Sequence, residues 1–238
     1  PLGPASIIPP AGALARGVAR VDRQLVLVGL ASSAPMRHAA EAEGLRYALH
    51  VRRIRLLLLL LFVVSLTVFN FSVYVPLLAR TVLHMGAEGF GFLMAAAGVG
   101  AVTGALALGN LRQPELALPT VLTSGFVACG SLVVMSAVTH FWVAVAMLFL
   151  IGVSGIVLVA SCNTTLQLAA PDHLRGRVMS LYTLIFGGSF PIGAFLVGWI
   201  SERAGVSTAY LAAGLSGLAG LALALIGLSV LIGVAASS

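Results

Sequence analysis

The side chains in this sequence that could do chemistry are uncharged, and most of them sit inside apolar runs. Asn70 and Tyr74 are four residues apart, as are Asn163 and Gln167, while Tyr182 and Ser189 are seven apart. On a helix each spacing brings the two residues to one face. Amide side chains are costly in hydrocarbon unless they are hydrogen-bonded or face a wet cavity. Two uses are therefore open to Asn70, Tyr74, Asn163, Gln167, Tyr182 and Ser189: hydrogen bonds between packed helices, or the lining of a polar pathway.

The usual catalytic sets are missing. All thirteen cationic residues are Arg, so the sequence lacks the Lys of a nucleotide-binding G-x-x-x-x-G-K-[ST] loop. The five His are scattered, no H-E-x-x-H occurs, and no carboxylate pair lies in an apolar run. Cys129 and Cys162 stand alone in apolar surroundings and read as small buried hydrophobes. No enzyme activity, metal or cofactor is expected. The formal charge of +6 does not point to nucleic acid, because the Arg residues are spread between apolar runs and not clustered with aromatics.

The elements that must position the polar residues follow from composition. Of 238 residues, 60% are hydrophobic and 8% are charged, against about 25% charged in soluble domains. With a mean hydropathy of +1.10, this is the composition of an integral membrane protein. Half of the charges fall within residues 1–53, which divides the chain. Residues 1–36 read as a poorly ordered Pro/Ala/Gly-rich extension, and 37–53 as an amphipathic helix on the membrane surface. Residues 54–238 hold six apolar runs of about the length needed to span a bilayer, at 56–79, 89–110, 117–137, 141–170, 178–200 and 209–233. The expected fold is an all-α membrane protein, a six-transmembrane-helix bundle.

Charge sets the orientation. With the amino end cytoplasmic, the inside segments carry Arg52, Arg53, Arg55, Arg112, Arg175 and Arg177, and the outside loops only Arg80 and Arg203. This obeys the positive-inside rule and places both termini in the cytoplasm. The absence of Lys beside abundant Ala, Leu, Gly and Val points to a GC-rich bacterial genome, hence to the bacterial inner membrane. In the fifth run, Gly187, Gly188 and Pro191 predict a local bend or break. In the loop before it, Asp172 is placed as an N-terminal cap or dipole partner of the next helix, with Arg175 and Arg177 at the cytoplasmic surface. Gly100 and Gly104 form a small-residue packing face on the second run.

Three segments carry a family resemblance: EGLRYALHVRRIRLLLLL, YVPLLARTVLHMGAEGFGFLMAAAGVGAVTGAL and PDHLRGRVMSLYTLIFGGSFPIGAFLVGWISERAG. Over residues 40–233 the chain resembles the carboxy-terminal half of a major facilitator superfamily transporter, in the branch of the enterobactin exporter and transmembrane secretion effectors. The resemblance implies that the six runs correspond to helices seven to twelve of a twelve-helix fold. The first and fourth would line the central cavity. It implies proton-driven efflux of a small amphipathic compound, a drug or siderophore. Partners would be the bilayer, that substrate, and an amino-terminal six-helix half or a second copy. The alternative is a non-transporting membrane subunit or assembly protein.

Overall fold

The computed structural model of the chain describes residues 50–110 and 117–236, and every regular element among them is helical. The elements are α1 (Arg52–Thr67), α2 (Phe71–Thr81), α3 (Ala87–Asn110), α4 (Ala117–Met135), α5 (Phe141–Ala169), α6 (Asp172–Ala204) and α7 (Val206–Ala236). Five segments are long and apolar enough to cross a membrane, with α1 and α2 counted as one, and Pro119–Met135 is a shorter apolar helix. The chain is an all-α, multi-pass membrane bundle. The expected extension 1–36 and most of the amphipathic segment 37–53 lie outside the described residues, as does Arg112. Arg52 and Arg53 already belong to α1.

The first apolar run is interrupted, which its hydropathy does not reveal. Helix α1 stops at Thr67, and the chain turns through Val68, Phe69 and Asn70 before α2 begins. A helix end within hydrocarbon must satisfy its last carbonyls internally. Three donors do so here: Val68 N–H reaches Val64 O at 2.8 Å, Thr67 Oγ1 reaches Val63 O at 2.9 Å, and Asn70 Nδ2 reaches Leu66 O at 2.8 Å. Asn70 departs from helical backbone at φ −90°, ψ 41°, and its carbonyl accepts from both Val73 and Tyr74, restarting the ladder.

The other connections are short and sterically specified. Ala170 is extended (φ −89°, ψ 132°) because Pro171 follows it, and the proline then leads into α6. Helix α6 therefore begins six residues before the apolar run at 178, with Asp172 in its first turn. Between α6 and α7 stands Gly205 alone, at φ +87°, a conformation open to glycine at little cost. Helix α6 runs unbroken through Pro191; the one interruption of an apolar run among the described residues is at 68–70.

Packing rests on small residues, as it must where lipid tails are as apolar as the helices. Helices α3 and α5 meet backbone to backbone. A Cβ on Gly100 would strike the Phe149 carbonyl, one on Gly104 the Val153 carbonyl, and one on Gly152 the Ala97 carbonyl. Helix α7 uses Gly214 against Val133 and the Cys129 carbonyl of α4, and Gly220 against Val63 of α1. The core these contacts enclose includes Leu57, Leu61, Leu93, Leu132, Leu148, Ile151 and Leu158, each nearly inaccessible. Overpacking at such a seam costs roughly 1–3 kcal/mol. Gly152→Leu is thus expected to lower the thermal unfolding temperature in detergent by several degrees, whereas Gly98→Leu, with nothing within 4 Å, leaves it nearly unchanged. Equal shifts in the two variants would contradict this packing.

Candidate functional site

The sequence-predicted polar residues do not converge on one point; they separate into three groups. In the first, Asn163 and Gln167 lie one turn apart near the end of α5, and Gln167 Nε2 donates to Asn163 Oδ1. The Tyr182 phenol of α6 lies within reach of the Asn163 side chain. An amide pair and a phenol thus meet between α5 and α6, with Gln167 exposed and Asn163 half-buried. The linked donors and acceptors leave further hydrogen-bonding capacity on Gln167, which a ligand or water could use.

The second group is the helix interruption. Asn70 is buried, with its amide on the Leu66 carbonyl, and Gly193 of α6 lies directly against it. A Cβ on Gly193 would strike Asn70 Nδ2 and approach Leu66 O to 2.5 Å. Asn70 therefore closes a backbone gap and lets α6 approach that gap; it does not meet the amides of α5. The third group is Tyr74, which is buried and stacked on Tyr210 of α7 with centroids 4.6 Å apart. Ser189 is buried and donates to Ile185 O on its own helix.

A row of aromatic rings connects the first two groups. Tyr182, Phe186 and Phe190 repeat every four residues along α6, with centroids 6.1 Å and then 5.4 Å apart. Phe69, in the interruption, sits edge-on to Phe186 at 5.4 Å and to Phe190 at 6.5 Å, and Phe71 follows it at 6.3 Å. Edge-to-face geometry at these distances is the favourable one for aromatic pairs. The phenylalanines are half-buried, so the row has an accessible edge. Sequence reading passed over them because apolar residues in a span carry no signal of cavity against lipid. The four-residue repeat at 182, 186 and 190 was the available clue.

Beside this row α6 presents an open groove of about 540 Å³ lined by Ser180, Thr183, Leu184 and Gly188. Gly187 and Gly188 have no neighbour within 4 Å, and Pro191 is exposed on the same stripe. At the start of the helix, Arg175 pairs with Asp172 at 2.7 Å and its Nε donates to Gln167 O at 3.1 Å. The ion pair is exposed and contributes little energy by itself. The bond to the Gln167 carbonyl ties the end of α5 to the start of α6. Arg177, two residues on, is half-buried. Among the described residues no three His, Cys, Asp or Glu side chains are grouped to hold a metal.

The contact between Asn70 and Gly193 is directly testable. Gly193→Ala is expected to destabilise the protein by roughly 1–3 kcal/mol. Asn70→Ala should then cost less in the Gly193→Ala background than in the parent chain, because one of the two colliding groups is already displaced. The double-mutant cycle in thermal unfolding measures the coupling, and additive effects would show that the two residues do not press on one another.

Comparison with known families supplies the remaining assignment. A family model described as transmembrane secretion effector matches residues 30–233, which takes in α1 to α6 and nearly all of α7. No curated protein and no solved structure matches the chain. Together with the bundle of apolar helices, the family match shows that the chain belongs to the transmembrane secretion effector family of major facilitator transporters.

Proposed function

We propose that the chain is half of a secondary transporter which exports a small amphipathic compound, a drug or siderophore, from a bacterial cytoplasm at the expense of a proton gradient. The observation that carries this reading is the composite face of α5 and α6. It offers amide and hydroxyl handles at Asn163, Gln167 and Tyr182, continued along α6 by the rings of Phe186 and Phe190. A surface with an apolar, aromatic side and a few placed polar groups suits an amphipathic ligand. The partner that encloses the ligand is an amino-terminal six-helix half or a second copy of this chain, because substrates in this architecture sit between two halves.

No Asp, Glu, Lys, Arg or His lies within the apolar runs, so a proton-carrying side chain within the membrane would come from an amino-terminal half, since a second copy of this chain could not supply it. The same feature favours the second reading, a membrane subunit that does not itself transport. Flux separates the two. In proteoliposomes with a proton gradient, the chain together with an amino-terminal six-helix half is expected to move ethidium or a catecholate siderophore in a gradient-dependent way. Gln167→Ala and Tyr182→Phe each remove one hydrogen bond worth about 1 kcal/mol and should lower that flux roughly fivefold without lowering protein yield. Gradient-dependent flux from neither preparation, alone or paired, would leave the non-transporting reading standing.

The Arg distribution supports a cytoplasmic location for both termini. Cys129 and Cys162 are buried and provide a silent background for labelling. With Glu202→Cys and Arg175→Cys variants in whole cells, an impermeant maleimide is expected to react with the first and not the second. The opposite pattern would invert the topology.

A further inference from the structure

Hydroxyl groups buried in this bundle mostly satisfy themselves. Thr67, Ser124, Ser131, Ser154, Thr165 and Ser189 each donate to a carbonyl four residues back on their own helix. A tyrosine has no such recourse, since its phenol reaches beyond its own helix. Tyr74 and Tyr210 are each 1% exposed, and neither phenol oxygen has a hydrogen-bonding partner among the described residues. Their rings stack 24° from parallel, so the two groups belong to one locus between α2 and α7.

Two further buried hydroxyls among the described residues lack a partner, Ser65 on α1 and Ser201 on α6, and the second stands at the level of Tyr210. Ser201 Oγ on α6 is buried and likewise has no partner, unlike the serines that bond back to their own helices. Ser201 precedes Gly205 by four residues and Tyr210 follows it by five, so the antiparallel arms of the α6–α7 hairpin carry them at one level. Two turns along α7 from Tyr210, on the same face, Gly217 leaves space occupied by Cys129 Sγ and Thr67 Oγ1. Polar atoms of α1 and α4 thus meet α7 two turns along from the tyrosine pair.

A buried hydroxyl without a partner has lost its hydration and gained nothing in exchange. Internal water is the small molecule that repairs this, and it does so where two to four polar groups surround it. We propose that Tyr74, Tyr210 and Ser201 form a site for internal water that joins the half-helix α2 to the α6–α7 hairpin. The hydroxyls donate to the water and accept from it, so α2 is held across this joint by exchangeable bonds in place of a direct side-chain contact. The site stands independently of what the protein transports.

Radiolytic hydroxyl-radical labelling of the full chain in lipid nanodiscs tests this, because buried side chains are oxidised quickly only where water lies beside them. Met135 is the reference: it is as buried as the two tyrosines, at 1%, and methionine is the more reactive side chain. Labelling of Tyr74 and Tyr210 is expected to run about tenfold faster than that of Met135. Tyr210→Phe should then slow the labelling of Tyr74. Tyrosines labelled no faster than Met135 would overturn the proposal. Thermal unfolding gives a second readout with a definite sign. Loss of a water-bonded hydroxyl lowers the midpoint by roughly 2–4 °C in Tyr74→Phe and in Tyr210→Phe. A rise in either variant would mean that the hydroxyl was desolvated for nothing, and would likewise overturn the proposal.

Discussion

Hydrocarbon offers a peptide group no hydrogen bond, and nearly every feature of this bundle answers that constraint. The helices keep their backbone groups paired along their length. Most serine and threonine hydroxyls of the described residues fold back on their own helix's carbonyls. The interruption at 68–70 is tolerable because Asn70 and Thr67 take over carbonyls that the helix gives up. A side chain that lacked a donor at position 70 would leave the Leu66 carbonyl bare against Gly193. The break and the glycine opposite it are one device, distributed over two distant parts of the sequence.

Close approach is the second consequence. Since burying apolar area gives no drive inside lipid, helices are held by intimate van der Waals contact, and this requires small residues at the seams. Gly100, Gly104 and Gly152 bring α3 and α5 together, while Gly214 and Gly220 seat α7 on α4 and α1. The exposed stripe of α6 is built differently. Its glycines have no neighbour, and the aromatic row beside them is half-open. One side of this helix is a packing surface, and the other is a surface built for something to meet.

The apolar runs and the Gly100/Gly104 seam were legible in the sequence because length and side-chain size alone determine them. The spacing of Asn163 and Gln167 predicted one shared face, and they are bonded there. The interruption of the first span was not legible. Hydropathy averages over side chains and is blind to backbone direction, although Asn70 carried the chemistry of a helix end in plain view. Gly193 and Gly152 could not be read as contact points without their partners, Asn70 and Ala97. The phenylalanine row was hidden for another reason: in a membrane protein an apolar side chain suits lipid, core and cavity equally, and only position separates the three.

The two-residue joint at Ala170–Pro171 and the single residue Gly205 leave α5, α6 and α7 almost without slack. Neighbouring helix axes stand about 8–10 Å apart, a span that one or two residues barely cover when fully extended. Sliding one helix past the next by a turn would need about 5 Å of additional chain, and these joints do not contain it. The three helices can tilt as a block, but they cannot piston. A force applied to the open side of α6 therefore reaches both ends of the block as rotation, with α5 and α7 carried along.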